Sequence, residues 1–476
     1  MSRYCRQVSV LLLVLLVAVF CRAWAGPAAG TLQKVRFSQT PEKVRIVFDL
    51  DSVPGYNVIL EQEPLRLIVE LTAVLDKAVP AQTAFNDPFV GGLQIQENEP
   101  GRIKLIIDLK QAVMHNVFSL QGPDRLVIDL VKAYDQKSEE VIRPGIKRIS
   151  WLRSQAFGPV QANILSIDLK QGFILRPVLS NGAINGIESV AAMSFRSKAV
   201  AAVNGSYFAP SGEIIGLLKI DGQIVSTPTL PRSAVGIMPD GRMIIDQVAY
   251  QGSVTMADGK AIDIDGVNRE RGPNELILYN GAYGPRTGTN GYGVEYLLRE
   301  DGTILSISQG NTALGPGMTV LSAHGEAAKT LRGLKVGDFV VVNETLGPVW
   351  DTTLHALGAG PMLVKDGSIY LTTKTEEFGS DVAGGRAPRT ALGLTKEGNL
   401  LLVVVDGRQA TSAGLTLLEL AMLMQELGAV DALNLDGGGS SEMVIANKVI
   451  NKPSDGHERL VGDALAVIAA PLANGQ

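Results

Sequence analysis

The chain is poor in cysteine, with two in 476 residues, Cys5 and Cys21. Both fall in residues 1–25, which read as a secretory signal peptide. Arg3 and Arg6 precede the apolar run 8–20, and Ala23 and Ala25 place small residues at −3 and −1 of a cleavage site after Ala25. The mature chain is then expected to have no thiol. That excludes disulfides, a Cys nucleophile and thiolate metal ligands; the signal peptide itself leads to the expectation of an exported protein, in the periplasm or cell envelope. A basic excess is also missing: Lys+Arg number 43 against 48 Asp+Glu. Loss of Arg3, Arg6 and Arg22 with the signal takes the formal charge from −5 to −8. A general nucleic-acid binder is thereby disfavoured. No run after residue 25 is long and apolar enough for the roughly 20 residues of a membrane span. The four histidines (115, 324, 355, 457) show no ligand spacing, so a His-based zinc site is not expected. A GxSxG elbow, a Walker loop and a GxGxxG turn after a strand are likewise missing.

Hydrophobic residues at 46% exclude a disordered chain, and 52 glycines with 5% aromatics point to a turn-rich β protein. Within residues 30–132 the sequence repeats at an offset of 59: IVFDL (46–50) matches LIIDL (105–109), and RLIVEL (66–71) matches RLVIDL (125–130). Asn57-Val58 and Pro64 also recur, as Asn116-Val117 and Pro123. Each half reads as short strands with one apolar face, and two such halves are expected to bury those faces against each other as a sandwich. Its carboxylates Asp49, Glu70, Asp108 and Asp129 read as solvated strand ends. Residues 133–146 are charged, end near Pro144-Gly145, and read as a linker.

Residues 147–472 form the second domain. Asp-Gly pairs at 221, 240, 258, 301 and 366, each between apolar stretches, predict hairpin turns. The most informative segment is 399–445. LLVVV (401–405) reads as a buried strand, Thr416–Glu419 as a capping box opening a helix, and DALNL (431–435) as a second strand. A βαβ unit would make the two strands parallel and put their C-terminal ends on one rim. That rim would carry Asp406, Arg408 and Asp436, followed by Gly437, Gly438, Gly439, Ser440 and Ser441. Glycine amides and serine hydroxyls suit a phosphate, a planar guanidinium adds fixed charge, and two carboxylates can serve as base and nucleophile or hold a divalent cation such as Ca. Other polar loops that could reach the rim are 204–208 with Asn204, Gly205 and Tyr207, 384–393 with Arg386 and Arg389, and 451–459 with Asn451 and Arg459.

Read in order, NGSYF (204–208), GAGPMLVKDG (358–367), RTALG (389–393), LLVVVDGR (401–408), LNLDGGGSSEM (433–443) and NKPSDGHER (451–459) resemble the phosphodiester glycosidases, and residues 30–132 resemble the AMIN domain. The second resemblance implies a β-sandwich that directs envelope proteins to peptidoglycan. The first implies hydrolysis of a sugar-1-phosphodiester at the anomeric C–O bond of an envelope glycoconjugate. It carries the family's functional positions onto Asn204, Arg389, Asp406, Arg408, Asp436 and the Gly-Ser run. On that reading Asp436 is the leading carboxylate and Asp406 its acid/base or cation-binding partner. Arg389, Arg408 and residues 437–441 hold the phosphate, and Asn204 and Tyr207 the sugar. Two other readings fit the same residues: a non-catalytic glycan-binding envelope protein, and a phosphodiesterase that cleaves P–O. The expected fold is an all-β sandwich of two repeated halves followed by a β-rich mixed α/β domain containing a βαβ unit.

Overall fold

A computed structural model describes residues 30–470 apart from 41, 53, 54, 133 and 156. The proposed signal peptide 1–25 lies outside the described residues. No helix among those described is long and apolar enough to cross a membrane.

The repeat folds as two hairpins per half. The first half supplies Gly30–Gln39 with Lys43–Leu50, then Tyr56–Gln62 with Leu65–Leu71. The second supplies Val90–Glu99 with Arg102–Leu109, then Met114–Leu120 with Arg125–Val131. The sandwich is not one half packed on the other. Strand Lys43–Leu50 pairs with Arg125–Val131, and Leu65–Leu71 with Arg102–Leu109, so each sheet takes one hairpin from each half. Leu32, Ile46, Phe48, Leu67, Leu105, Ile107 and Ile128 fill the space between the sheets. The carboxylates expected at solvated strand ends are instead cross-strand ion pairs, because the exchanged hairpins bring basic residues opposite them. Arg45–Asp129 (2.6 Å) and Lys104–Glu70 (2.7 Å) are related by the 59-residue offset, as are Arg66–Asp108 (2.8 Å) and Arg125–Asp49 (3.8 Å).

The linker reading of 133–146 is corrected. Asp135–Arg143 is a strand paired with Ile146–Gln155, at the edge of the eight-stranded sheet of the second domain. Its side chains are almost all exposed. A charged edge strand buries little side chain, pairing Glu139 with Lys147 and Asp135 with Arg153 at the surface, and resists further strand addition, so its composition matches that of a linker.

All five Asp-Gly pairs sit at hairpin turns. At 221–222 and 366–367 both residues have the positive φ that a two-residue turn requires. The expected helix is Leu417–Glu426, opened by a capping box in which Thr416 Oγ1 accepts from the Glu419 N–H and a Glu419 carboxylate oxygen accepts from the Thr416 N–H. Strands Leu400–Val405 and Ala429–Asn434 run in the same direction but are not neighbours. Strand Arg389–Thr395 lies between them, antiparallel to both. The tight connection from Thr395 to Asn399 folds it back on Leu400–Val405 first, so the helix crosses over an occupied position. The two C-terminal ends still share one edge of the sheet. The intervening strand delivers its first residue, Arg389, to that same edge.

Candidate functional site

Beside this edge stands a second sheet, in which Ala201–Asn204 is flanked by Met443–Ile445 and Asp463–Ala469. Asn204, at the end of its strand, joins the two sheets. Its Nδ2 donates to the Asp436 carbonyl (2.6 Å), and its Oδ1 accepts from Thr390 Oγ1 (2.7 Å) and the Glu442 N–H (3.1 Å). Fully buried, Asn204 fixes the Asp436 loop rather than facing a ligand. Gly205 continues the joint: its carbonyl accepts from the Asp436 N–H, and a Cβ there would press on the Asp463 carboxylate.

A cleft of about 620 Å³ opens above this joint. Of the residues expected at the site, Tyr207, Arg389, Arg408, Asp436, Gly437, Gly438, Gly439, Ser440 and Arg459 line it. Asp436 Oδ1 accepts from the Gly437 N–H (2.8 Å). Burial pushes this carboxyl up to about 6, against the opposing pull of hydrogen bonds from Ser440 and Gly437 and the charge of Arg459. Arg389 is buried and donates from Nε, Nη1 and Nη2 to the carbonyls of Leu415, Val382 and Gly385 (2.9–3.1 Å). Burial lowers its pKa; Tyr207 opposes that shift and neighbouring Arg408 adds to it. Tyr207 donates its hydroxyl hydrogen to the Gly360 carbonyl and accepts from Asn434 Nδ2, both at 2.9 Å.

The remaining expectations separate from the cleft. Arg386 is bound by Glu419 (2.6 Å) and lies over the Phe157 ring, so it is not available to a phosphate. Asp406 is buried, and its Oδ1 accepts from the Lys452 N–H (3.0 Å) and Asn451 Nδ2 (3.3 Å). Burial pushes it up to about 6. Asn451 also donates to the Ser441 carbonyl and accepts from the Met443 N–H, which ties three loops together behind the cleft. Ser441 is buried and does not line the cleft.

The glycine run is mostly not a nest of free amides. Gly437 N–H donates to Asp436, Gly438 N–H to the Pro388 carbonyl, Ser440 N–H to Gly437 and Ser441 N–H to Gly438. Its glycines serve shape instead. Gly438 has φ +62°, and a Cβ at Gly439 would occupy the position of the Arg459 guanidinium and the Asp455 carboxylate paired with it. The donor set does not fit a shared divalent cation. Asp406 faces the 451–452 loop and Asp436 faces the cleft, and no group of three or more His, Cys, Asp or Glu able to hold a metal ion occurs among the described residues.

The positive charge in the cleft comes from four arginines, set against the carboxylates Asp436 and Asp381 in the same lining. Arg459 is paired with Asp455 (2.6 Å), whereas Arg232, Arg389 and Arg408 have no carboxylate partner among the described residues. Arg232 was not singled out from the sequence. It lies over the Phe378 ring (4.4 Å), its Nε has no partner, and Phe378 is in turn 5.8 Å from the Tyr207 ring. Phe378 stands on a loop whose base is fixed by buried Glu376, which accepts from the Ser233 N–H (2.9 Å), Ser233 Oγ (2.5 Å) and Thr372 Oγ1. Two buried carboxyls behind the Asp436 loop were also missed. Asp463 accepts from the Ser206 N–H (2.7 Å) through Oδ1, and its Oδ2 has no partner. Burial pushes it up to about 7, and the Asp436 charge adds to that. Glu442 is pushed up to about 8 by burial and by Glu458. The available signal for Asp463 is a lone carboxylate set directly against the apolar strand ALAVIA.

Known proteins match parts of this chain. The phosphodiester glycosidase family model matches residues 299–468, and the AMIN domain model matches residues 92–170. An uncharacterized SPbeta prophage-derived protein of Bacillus subtilis is 42% identical over 113 residues, 24% of this chain and 17% of that protein. The N-acetylglucosamine-1-phosphodiester alpha-N-acetylglucosaminidase of Mus musculus is 33% identical over 132 residues, 26% of this chain and 25% of that protein. The chain thus spans a quarter or less of the length of these curated relatives. A crystal structure of a hypothetical protein from Synechocystis has a similar fold over 92% of this chain and 80% of that one, with a TM-score of 0.66 at 21% identity. The chain carries a phosphodiester glycosidase domain in its C-terminal part and an AMIN domain in its N-terminal part.

Proposed function

We propose that this chain is an exported hydrolase that cleaves a sugar-1-phosphodiester at the glycosidic C–O bond, directed to the cell wall by its N-terminal sandwich. The observation that carries the reading is one cleft lined by three arginines without carboxylate partners among the described residues, Arg232, Arg389 and Arg408, and by the half-buried carboxylate Asp436, with Asp381 a second, exposed carboxylate on the same cleft. The arginines supply fixed positive charge for the phosphate, in place of the committed amides of the glycine run. The departing phosphomonoester has a second pKa near ~6, so it leaves with little need of a general acid. Asp436 can then activate water or stabilise the oxocarbenium-like carbon. With its carboxyl pushed up to about 6, roughly nine-tenths of it is ionised at pH 7. Asn204, Asn451 and Asp406 act as positioning residues behind the loop. The AMIN match supports delivery to the envelope, with peptidoglycan as the expected partner of the sandwich.

The test is hydrolysis of aryl- and UDP-linked sugar-1-phosphodiesters by the purified protein in oxygen-18 water. Label in the sugar supports C–O cleavage. Label in the phosphate contradicts it and favours phosphodiesterase chemistry, and no turnover of any member of the panel favours a binding protein.

A further inference from the structure

The cleft has a second chemical character that sugar and phosphate leave unused. Ile187, Ile215 and Leu460 line it while remaining 38%, 49% and 47% exposed. Large apolar side chains this open are ordinary when scattered, but here three border one cleft together with Phe208 and Pro210. Their backbone setting makes them a continuous rim. Ile215 pairs across a two-stranded ribbon with Tyr207, and Ile187 and Leu460 adjoin the bridge between Glu188 and Val461. Gly462, next along, lies where a Cβ would press on Ile214 and Phe208. The rim therefore meets the arginine-lined floor at Tyr207 on one side and at Arg459-Leu460 on the other. A ligand whose phosphate rests on Arg389 and Arg408 can send the ester substituent that leaves the cleft along this wall.

Resting on the phosphodiester reading above, we propose that the group beyond the phosphate is an alkyl or prenyl chain, which makes the substrate an amphiphilic, lipid-type sugar phosphodiester. The rim covers the first methylenes of that chain as it leaves the arginines. A hydrophilic second sugar at this place would leave three half-exposed apolar side chains against hydroxyl groups.

Binding of simple phosphate monoesters tests the rim without requiring turnover. Calorimetric titration of the full mature chain with ethyl phosphate, octyl phosphate and uridine 5′-monophosphate, all below their aggregation concentrations, gives the comparison. Burial of two of the six additional methylenes predicts roughly tenfold tighter binding of octyl than of ethyl phosphate. In the triple variant Ile187→Ser/Ile215→Ser/Leu460→Ser, whose sites are exposed enough to leave the core intact, that ratio should fall below about threefold. Equal binding of the two esters by the native protein overturns the proposal. So does a ratio that survives in the variant, or tighter binding of the uridine nucleotide than of octyl phosphate. An octyl preference with no hydrolysis of any sugar phosphodiester would keep the rim and refute the reaction; hydrolysis with no octyl preference would do the reverse.

Discussion

Asp463 is fully buried, has one oxygen without a partner, and stands next to the carboxylate on which the proposed chemistry rests. Its replacement by Asn keeps the acceptor for the Ser206 N–H and removes the ionisation. The sign follows from linkage. The folded-state pKa of Asp463 is raised, to about 7, above the ordinary value near ~4. Between those values the unfolded chain gives up the proton and the folded chain keeps it. Native stability therefore falls as pH rises, by roughly 1.4 kcal/mol per pH unit from this group. The wild type should lose about 2 kcal/mol relative to Asp463→Asn between pH 5 and pH 7, and little more above pH 8. Burial of His355 lowers its pKa and acts in the opposite direction, but it is common to both proteins and cancels in the difference. Urea unfolding followed by tryptophan fluorescence is a suitable assay, since Trp151 and Trp350, the tryptophans among the described residues, both belong to the C-terminal domain. A difference that stays constant within about 0.5 kcal/mol from pH 5 to 7 would refute the placement of Asp463 as a buried carboxyl coupled to the site.

Arg389→Lys should destabilise the C-terminal domain by about 2–4 kcal/mol in the same urea assay, because one ammonium cannot serve the carbonyls of Leu415, Val382 and Gly385 from three positions. Arg408→Lys, at an exposed side chain without an ion-pair partner among the described residues, should change stability by less than about 0.5 kcal/mol. The kcat/KM for a sugar-1-phosphodiester should fall with unit slope below about pH 6 as Asp436 takes up a proton. Asp406 is also pushed up to about 6, so the assignment is checked by persistence of that limb in Asp406→Asn.

Much of this architecture was legible in the residues, and the failures share a cause. The 59-residue repeat, the five Asp-Gly turns, the capping box at Thr416 and the common rim for Asp406 and Asp436 all come from local patterns. The exchange of hairpins between the halves does not, since identical strand patterns satisfy either pairing. The strand Arg389–Thr395 enters between the two supposed neighbours for a similar reason: an apolar strand does not state which strand it will join. At the site, residue types were readable but side-chain commitments were not. Arg386 looked as available as Arg408 until Glu419, already occupied as a cap, also proved to bind it. The amides of residues 437–441 looked free because their acceptors, Pro388 above all, lie on another strand's approach. Arg232 stands at the start of a plain apolar strand with no motif around it, and only the fold brings it to the cleft.

The central claim is that Asp436 performs chemistry in an arginine-lined cleft. Asp436→Asn preserves the acceptor for the Gly437 N–H and removes the ionisable group, so the fold should be retained. Single-turnover hydrolysis of a UDP-linked sugar-1-phosphodiester at pH 7, with folding of the variant checked by its urea midpoint, is the direct measurement. The account predicts a rate about 10²–10⁴-fold below wild type with binding of inorganic phosphate retained. A normally folded Asp436→Asn protein that hydrolyses the substrate within about threefold of the wild-type rate would contradict it.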